Sequence, residues 1–220
     1  MDLKPFMNNW RYKVVQRSDQ DKDNFTPQLG PAAIEHIKTY KSWMHAEGGT
    51  ELREVAGNYA AEVQGNWAEF GVERGDSAHF LSNFLPENST FYLFDSWQGL
   101  PEEWVLAENY IRASGQPASP MPSFKDPRLV VVPGWFEDTL PKDMGPLAFV
   151  HIDCDLYSST KTVLERTNHQ IFPGTIMLFD ELWGYPNWRE HEYKALVEWG
   201  RPFEWLARDT FNRALIRILE

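Results

Sequence analysis

The stretch WAEFGVERGDS at residues 67–77 decides the fold. Its first half is short and apolar, the pattern of a buried strand. Its second half carries Gly71 and Gly75, and a helical pattern runs from Ser77 to Leu85. Four similar apolar runs follow: TFYLF at 90–94, LVVV at 129–132, LAFVHI at 147–152 and TIMLF at 175–179. Helical spacing appears over 158–169 and again over 188–199. Two closely spaced strands, 203–207 and 214–219, read as an antiparallel pair at the sheet end. Strands alternating with helices predict an α/β fold, a doubly wound and mostly parallel seven-stranded sheet whose last strand is antiparallel.

Upstream of that core, two N-terminal helices are expected. Pro31 suits a first helical turn, with Ile34, Ile37, Tyr40 and Met44 at helical spacing behind it. Gly48 and Gly49 break that helix, and Thr50 caps a second one running to about Val63. Residues 1–30 are polar and irregular, and read as an arm or lid rather than a domain. Such an arm either supports a homodimer or closes over a site. Residues 31–220 form one domain, within which 97–127, rich in Pro, Ser, Glu and Trp, read as an insertion or lid.

Composition narrows the function. The 220 residues suffice for one α/β domain, and the 42% hydrophobic content for a core. A formal net charge of -11 disfavours nucleic acid, which needs clustered Lys and Arg, and an anionic membrane surface. No apolar run reaches the roughly 18 residues of a membrane span. The N-terminal stretch lacks the apolar region of a secretory signal, and Cys154 is the single cysteine. A cytoplasmic protein is expected, without a nucleic-acid or membrane partner.

In a parallel sheet, ligands bind outside the carboxyl ends of the strands. Here those ends carry Gly71–Gly75, Asp95, Asp153 and Asp180–Glu181. Gly71 would let the backbone approach a ligand, and Gly75 and Ser77 stand near a helix N-terminus. The dinucleotide fingerprint needs a middle glycine that this turn lacks, which suits a ligand without phosphates. An ordinary strand–turn–helix would look the same. Asp95 lies twenty residues after Gly75, where a carboxylate accepts ribose hydroxyls or caps a helix.

Asp153, Asp155, Asp180 and Glu181 would converge if their strands are neighbours. Crowded carboxylates need a cation or a proton, and oxygen ligands favour Mg²⁺, Ca²⁺ or Mn²⁺. Alternatively, the acids cap helices and pair with Lys161 or Arg189. His151 reads as core, and His191 as either site or surface. Cys154, between two acids, is no nucleophile.

These residues together resemble the macrocin O-methyltransferase-like family of class I methyltransferases. The resemblance rests on EFGVERGDS (69–77), FDSWQGLPE (94–102), VPGWFEDTLP (132–141), VHIDCDLYSSTKTVLE (150–165) and FPGTIMLFDE (172–181). It implies a Rossmann-like fold, S-adenosylmethionine as cofactor, and methyl transfer to a hydroxyl on a sugar or other natural product, with Mg²⁺ in several members. It implies that Glu69, Gly71, Gly75 and Ser77 border the methionine part of the cofactor, and that Asp95 and Ser96 hold the ribose. Gly134, Trp135 and Phe136 would lie near the adenine. Asp153 would touch the cofactor site, ligate metal and act as base, with Asp155 as the alternative base. Asp180 and Glu181 would complete the metal site, although the family usually has aspartate where Glu181 stands.

Trp97, Trp104, Trp183, Tyr185 and Trp188 are candidates to stack on the acceptor, or are core. Two other functions compete. A module that binds S-adenosylmethionine without catalysis would not need convergent carboxylates. An aspartate-nucleophile phosphatase would use Asp153 and Asp155, but the 65 residues after Asp155 are short for the remainder of that fold.

Overall fold

The computed structural model describes residues 50–107, 110–112, 119–183, 187–209 and 212–220. The expected arm at 1–30, the helix from Pro31 and Tyr185 lie outside the described residues. The chain begins its described course with helix α1 (Thr50–Ala61) and strand β1 (Asn66–Phe70). Helix α2 (Asp76–Leu81) runs into a 3-10 turn (Ser82–Phe84), then strand β2 (Phe91–Asp95). A small hairpin, β3 (Trp104–Ala107) and β4 (Tyr110–Arg112), stands inside the segment expected to be an insertion or lid. Next come β5 (Leu129–Pro133), α3 (Phe136–Thr139), β6 (Leu147–Ile152), α4 (Tyr157–Thr167) and β7 (Ile171–Phe179). The chain closes with α5 (Glu192–Trp199), β8 (Phe203–Arg208) and β9 (Ala214–Ile218).

Seven strands form one sheet in the order β5-β2-β1-β6-β7-β9-β8. Six run in one direction, and β9 runs antiparallel to both its neighbours, β7 and β8. The expected seven-stranded sheet is therefore present. Its direction of winding reverses between β1 and β6, because the chain goes outward from β1 to β5 and returns to β6 on β1's other side. Such a reversal splays the connections apart and leaves a crevice at the strand ends.

Strand residues alternate between two packed faces, as a pleated backbone requires. Ala68, Phe70, Val150, Ile152, Met177 and Phe179 face one core, closed by Val163 and Leu164 of α4 and Ala195 and Leu196 of α5. Trp67, Phe91, Leu93, Phe149 and Ile176 face the other, closed by α1 and α2. Both faces are covered, so β1 and β6 are buried along nearly their whole length.

Element ends differ from the sequence reading for local reasons. The helix expected over 77–85 starts at Asp76, after Gly75 in a left-handed conformation, and tightens to a 3-10 turn from Ser82. The helix expected over 188–199 is broken at His191 (φ −111°, ψ −128°), with a 3-10 turn before it. Strand β7 starts at Ile171 and so contains Pro173 and Gly174.

Trp67 anchors the second core. It is fully buried, edge-on to Phe91 at 5.7 Å and tilted against Phe149 at 5.0 Å. Trp67→Ala is expected to cost about 3–5 kcal/mol by urea denaturation. A loss below about 1 kcal/mol would mean that this cluster does not support the sheet.

Candidate functional site

Backbone hydrogen bonds continue past the strand ends and bring them into one row. Gly134 N–H donates to the Asp95 carbonyl (2.9 Å), and Gly71 N–H to Phe94 (3.0 Å). Asp153 N–H donates to Phe70 (2.9 Å) and Asp180 N–H to Ile152 (2.9 Å). A cavity of about 510 Å³ opens along this row, within the roughly 300–1,000 Å³ usual for small-molecule sites. Gly134, Trp135 and Phe136 line one end, and Asp153, Asp180 and Glu181 lie among the lining residues of the later strand ends.

Gly71 has a structural reason beyond ligand approach. Its φ is +94°, and a Cβ there would lie 1.7 Å from the Asp153 carbonyl oxygen. Only glycine lets the ends of β1 and β6 come this close. Gly75 (φ +82°) meets the 119–127 segment in the same way, with Phe124 at 2.8 Å from its hypothetical Cβ.

Asp95 ties the first two loops together. Its Oδ2 accepts Val72 N–H (2.9 Å) and Glu73 N–H (2.8 Å), and its Oδ1 accepts Trp97 N–H (2.7 Å). The Trp97 indole returns a bond to the Glu73 carbonyl (2.8 Å). Glu73 (φ +46°) and Trp97 (φ +53°) are both left-handed without being glycine. Such conformations cost about 1–3 kcal/mol each and persist where surrounding bonds over-determine them. Asp95 thus spends three of its roughly four acceptor sites on backbone, and Ser96 beside it also lines the cavity.

Glu69 is fully buried under the row rather than in the cavity lining. It accepts the Ser77 hydroxyl at 2.5 Å and faces His151 Nδ1 at 3.5 Å. His151 is also fully buried, with Nε2 3.5 Å from Asp180. Burial works against its charge, but contacts with Asp180 and Glu69 outweigh it and lift its pKa to about 9. The core position expected for His151 is found, with an ionic role added.

The acids do converge. Asp153, Asp155, Asp180 and Glu181 all line the cavity, and the neighbouring strands β6 and β7 deliver three of them. Asp155 sits in a left-handed conformation (φ +63°). The partners are not those the sequence suggested. Lys161 faces Glu165 and Glu198, and Arg189 stacks on Trp188. Asp180 is held instead by Arg213, which donates from Nε to Oδ1 (2.6 Å) and from Nη2 to Oδ2 (3.1 Å), and by Arg53 Nη2 (3.0 Å to Oδ1). Burial opposes its ionisation, yet His151 and the two arginines hold its carboxyl below the usual range. Burial and then the Asp180 charge push Asp153 and Glu181 well above theirs. Glu192, missed because the sequence reading placed it inside a helix over 188–199, is the first residue of α5; it is buried nearby, and burial and then the Asp153 charge push it up. Burial and the Glu192 charge likewise raise the Cys154 thiol, in keeping with an inert cysteine.

The donor chemistry fits a hard divalent ion. Glu181 Oε2 is buried without a hydrogen bond among the described residues. Asp180 Oδ2 keeps one lone pair beyond its Arg213 bond. Among the described residues, the side chains whose ligand atoms lie within 4.8 Å of one another are His151, Asp153 and Asp180. Glu181 stands outside that group although it lines the same cavity.

The tryptophans are mainly core. Trp97, Trp104, Trp183 and Trp188 are at most 8% exposed, and only Trp97 lines the cavity. Trp104 packs edge-on to His191, whose Nε2 lies 2.9 Å from the Val105 carbonyl, so His191 anchors the hairpin instead of facing the site. No helix among the described residues is long and apolar enough to cross a membrane.

A family model described as "Methyltransferase domain" (Methyltransf_24) matches residues 68–182. A Streptomyces olivaceus relative, 8-demethyl-8-(2,3-dimethoxy-alpha-L-rhamnosyl)-tetracenomycin-C 4'-O-methyltransferase, is 30% identical across 54% of this chain and 53% of its own length. The chain spans about half to three-fifths of the length of the curated relatives it matches. Among solved structures, the calicheamicin methyltransferase CalS11 has a TM-score of 0.62 at 19% identity, covering 93% of this chain and 95% of that one. An O-methyltransferase from Bacillus cereus, solved in complex with SAH, has a TM-score of 0.50 at 12% identity, covering 92% and 98%. The matched residues run from β1 through the Asp180–Glu181 strand end, and the chain belongs to the methyltransferase-domain family.

Proposed function

We propose that this chain is an S-adenosylmethionine-dependent O-methyltransferase of the macrocin-like type, acting on a hydroxyl of a sugar or another natural-product small molecule. The observation that carries the reading is the row of strand ends around one cavity, glycine turns at one side and carboxylates at the other. The curated relative from Streptomyces olivaceus is named for methylating a hydroxyl, and the Bacillus cereus neighbour holds the cofactor product.

In this reading the adenine lies against Gly134, Trp135 and Phe136, and the ribose near Asp95 and Ser96. The methionine part follows the turn from Gly71 to Ser77, with Glu69 fixing the Ser77 hydroxyl from below. Methyl transfer is an in-line displacement. The acceptor oxygen forms a bond to the methyl carbon as the carbon–sulfur bond breaks, its electron pair returning to sulfur. The hydroxyl proton goes to Asp153, which stands at its strand end in the cavity wall, with Asp155 as the adjacent alternative. Holding both reactants in line supplies about 7–11 kcal/mol of the barrier. Asp153, Asp180 and Glu181 would hold Mg²⁺, which when bound makes the acceptor hydroxyl more acidic.

A binding module without catalysis has less support, because it would gain nothing from burying several mutually repelling carboxylates. The phosphatase reading falls with the family assignment.

Asp153→Asn is expected to lower kcat about 10²–10⁴-fold with cofactor affinity retained, measured by methyl transfer from labelled S-adenosylmethionine and by calorimetry. Unchanged turnover would remove Asp153 from the chemistry. Trp97→Phe deletes one hydrogen bond worth about 1 kcal/mol, so cofactor affinity should fall about fivefold. Equal affinity would show that the indole bond does not hold the glycine turn.

A further inference from the structure

We propose that Arg53 binds the carboxylate of the cofactor's methionine part, an assignment that rests on the cavity being an S-adenosylmethionine site. Arg53 lies on α1, which packs over α2, β6 and β7, and its side chain lines the cavity. It is 16% exposed, so its charge is largely withdrawn from water.

Its visible partner does not need it. Arg213 alone forks onto both oxygens of Asp180. Arg53 adds a single bond to Oδ1, an atom already engaged at 2.6 Å. A guanidinium carries five N–H donors in a planar fork. Arg53 Nε is buried and has no hydrogen-bond partner among the described residues. The donors left for an acceptor in the cavity are those of the Nη groups beyond the one Asp180 bond, on a side chain that lines it.

The charge balance of the cavity points to the same group. Among the described residues, eight acidic side chains line it against two arginines, Arg53 and Arg74. Arg74 is 68% exposed and turned to Glu73. S-adenosylmethionine brings a sulfonium, an ammonium and one carboxylate. The two cationic groups meet acids almost anywhere on this wall. The carboxylate meets repulsion except beside Arg53, where a planar fork matches a carboxylate.

The test compares S-adenosylhomocysteine with 5'-methylthioadenosine, which lacks the amino-acid part, by calorimetry on the full chain. Arg53→Met should weaken S-adenosylhomocysteine about tenfold to hundredfold and leave 5'-methylthioadenosine within about twofold. Arg53→Lys should recover part of the loss. Equal weakening of both ligands would make Arg53 a structural partner of Asp180 only, and unchanged binding of both would remove it from the site; either overturns the proposal. Absence of binding of both ligands to the wild type would instead overturn the cofactor reading itself.

Discussion

The approach of Gly71 to the Asp153 carbonyl is the constraint on which the site depends. Strands β1 and β6 are neighbours, but the chain leaves them toward opposite faces of the sheet. Their ends can stay in register only if one side gives up its side chain. Glycine at 71 does so, and the Phe70 carbonyl can then accept Asp153 N–H. The same contact puts a turn of free backbone and a carboxylate side by side. A larger residue at 71 would be strained in the left-handed region and would push the proposed base out of line.

Around that contact, charge is arranged in two tiers. Below the row, Glu69, His151, Asp180 and Arg213 form a buried chain of alternating sign, continued by Asp209. Above it, Asp153 and Glu181 face the cavity beside Asp155, and burial and then the Asp180 charge push the carboxyls of the first two up. Breaking one partner of a buried pair leaves an uncompensated charge, so the lower tier fixes geometry. The upper tier repels itself, which favours a proton or a cation and suits the proposed transfer, which brings both a proton and a sulfonium to it.

Much of this was legible in the sequence because the strands are buried on both faces. Runs such as LAFVHI and TIMLF need no partner to be recognised, and the residue after each run marks a strand end. The row of Gly71, Asp95, Asp153 and Asp180 followed from that alone. What was not legible is non-local. Arg53 lies 127 positions from Asp180 and Arg213 lies 33 away, and no spacing rule joins them. Lys161 and Arg189 were nearer in sequence, but their helices and turns aim them elsewhere. Trp97, Trp104, Trp183 and Trp188 show the same limit, since an aromatic outside the expected strands reads alike whether it points into the core or the cavity. The hairpin at Trp104–Arg112 escaped because its strands are three or four residues long.

A structure of the protein with S-adenosylhomocysteine bound tests the central claim most directly. One molecule is expected along the strand ends, adenine against Phe136, ribose beside Asp95 and Ser96, and sulfur toward Asp153. A molecule bound elsewhere, or no density for it at saturating concentration, would contradict the claim that these strand ends form the cofactor site.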